Sequence, residues 1–268
     1  MKIVKTVIFL TALSALAAAS SFSGEEVFTT LEDRKEFASE VTGIVGKAWK
    51  EWQDAVVIDG INVESSKGIL TPGNINGPLF SVSKKISLME KNSEIRPGHA
   101  PYLKVAVKAL EEGMRAWQRG YINDNIPFPQ GASCAYTLPP CNNVPVTIGS
   151  GRSGGDADMT ESALFKHMRY NSPSENENTF FVLKAVAAAI SRSFEEWKDS
   201  CFISGITAFG GIAPHPDPMG GGPGPVRGAK GNGGKFSGAY FSASKTYSYM
   251  MAELDRENTR LPGQTAGP

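Results

Sequence analysis

Residues 38–61 read ASEVTGIVGKAWKEWQDAVVIDGI, and the same register returns at 103–126 as LKVAVKALEEGMRAWQRGYINDNI and at 183–206 as LKAVAAAISRSFEEWKDSCFISGI. Each stretch pairs a tryptophan with an isoleucine nine residues later: Trp52 with Ile61, Trp117 with Ile126, and Trp197 with Ile206. Ahead of each tryptophan the apolar residues fall at helical spacing. They are Ala38, Val41, Val45, Ala48 and Trp49 in the first copy, Leu103, Ala106, Leu110, Gly113 and Met114 in the second, and Leu183, Val186, Ile190, Ser193 and Phe194 in the third. Steps of three and four put them on one stripe of a helix, with groups such as Lys47, Glu111 and Arg192 between.

The residue before each isoleucine is Gly60, Asn125 or Gly205, types that tolerate a left-handed backbone. Read as the residue just past a helix, each would let the isoleucine close a Schellman turn against Val56, Tyr121 or Cys201. On this reading the tryptophans anchor a core and line no ligand cage.

A second helix follows in each copy. INGPLFSVSK (residues 75–84) and FSGAYFSASK (residues 236–245) share five of ten positions; Asn76 and Ser237 are expected N-caps, and Asp158 with Glu161 a capping pair in the second copy. The expectation is therefore an all-α fold of three tandem helical-hairpin repeats, at about 30–95, 100–172 and 178–257, within one domain spanning 20–257. Helices are expected near 31–59, 78–91, 101–124, 160–170, 179–204 and 238–257, and a disordered tail at 258–268. The stretches 62–75, 127–157 and 207–236 are expected to be long irregular loops at one end of the bundle. The third, rich in glycine and proline, reads as too broken for a central strand.

Lys2 and Lys5 precede an apolar run from Val7 to Ala19, the pattern of a secretory signal peptide cleaved after Ala19. The apolar run is shorter than the roughly 20 residues a membrane span needs. An exported address follows, in the periplasm, at the cell surface or in the medium, with no membrane span after cleavage. The chain holds 27 basic and 27 acidic residues. That balance argues against a nucleic-acid partner. In an oxidising compartment Cys134 and Cys141 are expected to staple the turn between them, and Cys201 is left over as a small apolar residue or an intermolecular link.

Candidate chemistry is sparse. The stretch ending GNGGKFS fails as a phosphate loop, because Ala229 occupies its first glycine position and Phe236 follows Lys235 where Ser or Thr is needed. Asp156, Asp158 and Glu161 do not fit the twelve-residue calcium loop. No catalytic grouping, metal set or cofactor motif emerges from His99, His167, His215 or the serines. The function read from the sequence is a non-enzymatic exported structural or protein-interaction scaffold, with protein partners that include its own copies. The competing reading is a small-ligand binder or enzyme using His215, Asp217, Arg227 and Lys235 in the long loops.

Overall fold

The computed structural model describes residues 27–92, 94–128, 141–212 and 226–258; the expected signal peptide and the tail beyond Asn258 lie outside them. Helix α1 (Leu31–Ala55) runs into β1 (Val57–Ile58), β2 (Ile61–Ser65), β3 (Lys67–Leu70) and β4 (Ile75–Asn76), then α2 (Ser83–Lys91). Helix α3 (Ala100–Gly120) leads to β5 (Tyr121–Pro127), β6 (Cys141–Asn142), β7 (Val146–Thr147), β8 (Arg152–Ser153) and α4 (Glu161–Tyr170). Helix α5 (Glu177–Ser200) leads to β9 (Cys201–Ser204), β10 (Thr207–Ile212), β11 (Val226–Asn232), β12 (Lys235–Gly238) and α6 (Ala243–Asn258).

The fold is thus mixed, and the expectation of an all-α array of helical hairpins is wrong. The three stretches expected to be irregular loops supply most of the strands, and the expected ends of the long helices at 59, 124 and 204 supply β1, the start of β5 and β9; together they form a seven-stranded antiparallel sheet ordered β6-β10-β11-β2-β3-β5-β8, a three-stranded sheet β12-β9-β7, and the pair β1-β4. Helices give way to strands one turn after each tryptophan, where the chain becomes β-branched and aromatic: Val56-Val57-Ile58, Tyr121-Ile122 and Cys201-Phe202-Ile203. Val56 (φ −75°, ψ 145°), Tyr121 (φ −67°, ψ 131°) and Cys201 (φ −79°, ψ 146°) are all extended C-caps. No Schellman closure forms there. Gly60 and Gly205 do adopt positive φ, 68° and 76°, but in the turns that lead from β1 to β2 and from β9 to β10; Asn125 lies within β5. The isoleucines belong to the β layer, where Ile61 and Ile206 both lie beside Gly231.

Glycine misled the reading of the third stretch for a related reason. A Cβ on Gly210 would lie 2.4 Å from Ala229 Cα, and one on Gly231 would lie 2.8 Å from an Ile206 methyl. These glycines let strands and side chains close tightly over the β core, a role as common for strand glycine as flexibility. Capping also differs from expectation. Asn76 and Ser237 lie in strands β4 and β12, and Thr160, rather than the Asp158–Glu161 pair, caps α4 by accepting from Ala163 N.

Each short helix packs against its own long helix and the next one, so adjacency runs from α1 through α6 and closes back on α1. The stripes ahead of each tryptophan are buried along all three long helices. At their C-terminal ends the three tryptophans meet edge to face: ring centroids are 6.4 Å apart for Trp52–Trp117, 6.0 Å for Trp52–Trp197 and 5.6 Å for Trp117–Trp197. Phe236 of β12 sits 5.9, 6.2 and 6.1 Å from the same three rings. Such pairs contribute about 0.5–1.5 kcal/mol each beyond burial.

The indole N–H groups explain part of this arrangement. Trp52 Nε1 donates to Gln118 Oε1 at 3.1 Å and Trp197 Nε1 to Gln53 Oε1 at 2.8 Å, so the glutamine following one tryptophan receives the indole of another unit. The third link is broken. Lys198 stands where a glutamine would serve Trp117; it pairs with Glu195 and Asp156 instead, and Trp117 Nε1 is buried with no hydrogen-bond partner among the described residues.

Glu111 of α3 ties α2 into the ring of helices. Its carboxylate accepts from the backbone N–H groups of Val82 and Ser83 and from the Ser81 and Ser83 hydroxyls. Burial pushes its pKa up, but these donors outweigh it and hold the carboxyl below its ordinary value.

Gln118→Leu strips Trp52 of its acceptor and should lower unfolding free energy by about 1–3 kcal/mol in urea titrations; an unchanged midpoint would show that the indole is solvated. Glu111→Gln should cost about 2 kcal/mol at neutral pH. Because the folded pKa is depressed, that contribution is present above the unfolded carboxylate value, about 4.3. It should vanish as pH falls through the folded value, so a wild-type-to-variant difference constant down to pH 2 would contradict it.

Candidate functional site

The seven-stranded sheet has one buried face and one open face. Ile61, Val63, Ala208 and Ala229 point inward. Register places the alternate residues in a row across four strands: Phe209 on β10 opposes Lys230 on β11, Lys230 opposes Asn62 on β2, and Asn62 opposes Ile69 on β3. Directly opposed residues share a face. Phe209 is 55% exposed and Ile69 40%, while Lys230 Nζ donates to Asn62 Oδ1 between them. Glu64 and Lys67 oppose one another two residues further along, and Glu64 accepts from Gly228 N at 2.8 Å. The candidate interface is therefore an apolar pair set in a polar, mixed-charge surface, built from the first and third β segments.

The residues expected to form a ligand site are not gathered there. His215 and Asp217 lie outside the described residues. Arg227 lies on β11 with its backbone opposite Gly211. Lys235 opens β12 in the other sheet, opposite Ser204, on a groove it shares with Gln53, Asp54 and Tyr240. Sequence reasoning passed over Phe209 and Ile69. The alternation that marks Phe209, Ala208–Phe209–Gly210, is visible in the sequence but is masked by the glycines around it.

The other candidates prove structural. His99 is buried, its Nδ1 2.9 Å from Glu40 Oε2, with its ring stacked on Phe28. His167 Nε2 meets Glu112 at 2.5 Å. Among the described residues no group of three His, Cys, Asp or Glu side chains could hold a metal ion, and no helix is long and apolar enough to cross a membrane. Of the expected Cys134–Cys141 staple, Cys134 lies outside the described residues; Cys141 is buried in β6. The described residues contain no disulfide between themselves. Cys201 is a free, fully buried thiol whose Sγ donates to Ser237 O at 3.2 Å. That burial contradicts its reading as an intermolecular link.

Comparison with protein-family models, with curated proteins and with solved structures finds no match.

Burial pushes the Cys201 thiol up to about 12, which leaves almost no thiolate at pH 8. The folded chain should resist iodoacetamide at Cys201 and react there only after unfolding, as read by peptide mass. Rapid native labelling would show that β9 and β12 separate readily.

Proposed function

We propose that the protein is an exported, non-enzymatic scaffold that binds protein, with its own copies as first partner, through the outward face of the seven-stranded sheet. The observation that supports this reading is the exposed Phe209–Lys230–Asn62–Ile69 row. Phe209 and Ile69 supply apolar anchors at its two ends, and Lys67, Glu64 and Lys230 supply a polar surround of both signs. A two-fold pairing of such faces presents the same patch from each copy, so attraction and register come from one set of residues.

Sedimentation velocity on the chain from Ser20 onward tests this. The expected result is concentration-dependent association that Phe209→Asp weakens at least tenfold and Phe209→Asp with Ile69→Asp abolishes, since a charge buried at an interface is strongly disfavoured. A monomer at every concentration, or association indifferent to both substitutions, would overturn the reading. The exported chain should begin at Ser20 by N-terminal sequencing.

A further inference from the structure

A second surface lies away from the sheet face and makes no use of Phe209 or Ile69. Two open grooves, of about 390 and 400 Å³, meet at Tyr240 in the connection between β12 and α6. The last turn of α1 lines one through Gln53 and Asp54, and the last turn of α5 lines the other through Asp199 and Ser200. Both long helices thus turn their carbonyl ends, the negative ends of their dipoles, toward the grooves.

A carboxylate bonded to a phenol hydroxyl, with a cation over the ring, occurs on each flank. On one, Asp54 accepts from the Tyr240 hydroxyl at 2.8 Å, and the Lys50 ammonium lies 2.8 Å from Asp54 and 4.1 Å above the Tyr240 ring. On the other, Glu196 accepts from the Tyr249 hydroxyl, Lys245 lies 3.3 Å from Glu196, and the Arg192 guanidinium sits 3.9 Å above the Tyr249 ring. A carboxylate, a phenol hydroxyl and an aromatic face together form a receptor for a nitrogen cation. Hydrogen bonds from Lys50 and Tyr240 hold Asp54 below its ordinary pKa, and those from Tyr249 and Lys245 do the same for Glu196, so both stay ionised.

The chain's own cations occupy these receptors loosely. The Lys50, Lys245 and Arg192 side chains are 55%, 65% and 59% exposed, and exposed pairs of this kind are weak. A ligand carrying two linked ammonium groups can displace both at once, because the second contact becomes intramolecular. We propose that the paired grooves around Tyr240 bind a linear di- or polyamine, with one ammonium at Asp54 and another at Glu196. Lys235, on the wall beside Asp54, acts as a competitor that tunes the affinity.

Isothermal titration of the mature chain with spermidine in 0.15 M salt tests this, with butylamine and magnesium chloride as controls. Saturable one-to-one binding is expected, stronger for spermidine than for either control. Asp54→Asn and Glu196→Gln should each weaken it about fivefold, the equivalent of about 1 kcal/mol. Lys50→Ala should strengthen it, and Glu90→Gln, which removes the remote carboxylate paired with Lys104, should leave it unchanged. Near-ultraviolet circular dichroism confirms that each variant is folded. Absence of saturable binding, equal binding of magnesium, or an equal loss with Glu90→Gln would overturn the proposal. Because these substitutions lie off the sheet face, either result is independent of the assembly reading.

Discussion

Everything else in the structure depends on the packing of Trp52, Trp117 and Trp197 against one another. Each ends a buried stripe on a long helix, and their mutual contact brings the three helix ends to one place. Because each chain segment turns extended at the fourth residue past its tryptophan, all three first strands start from that place too. The sheets lie over this hub, with Phe236 closing on the three rings.

The hub is close to three-fold in its rings and breaks that pattern in its hydrogen bonds. Two indoles find glutamines on neighbouring units, while Trp117 keeps a buried N–H without an acceptor among the described residues. An unpaired buried donor costs about 1–3 kcal/mol. The substitution responsible is Lys198, whose ammonium is engaged instead with Glu195 and with Asp156, ahead of α4. A charge contact between α5 and the turn before α4 thus stands where the repeated pattern calls for an indole acceptor.

The helical half of this fold was legible in the sequence, because spacings of three and four over long stretches leave little ambiguity. The tryptophan register, the buried stripes and the left-handed Gly60 and Gly205 are all present. The β half was not legible, for two physical reasons. Strands such as β1, β6, β7 and β8 are two residues long, too short for alternation to register as a pattern. In β10 and β11 the glycines that let the β core close tightly look, in sequence, like the glycines of a flexible loop. Phe209 was hidden by the same residues, and the expected start of α6 at 238 put Tyr240 on the helix instead of in the connection ahead of it. His215 and Asp217, singled out in the sequence by their proline-rich context, lie outside the described residues.

Near-ultraviolet and far-ultraviolet circular dichroism of single tryptophan-to-phenylalanine variants tests the hub most directly, since all four tryptophans of the chain, Trp49 included, lie within coupling distance in one cluster. A coupled cluster predicts an indole exciton band that collapses when any one of Trp52, Trp117 or Trp197 is replaced, with helix content retained. Signals that fall by one independent share per tryptophan removed would contradict it.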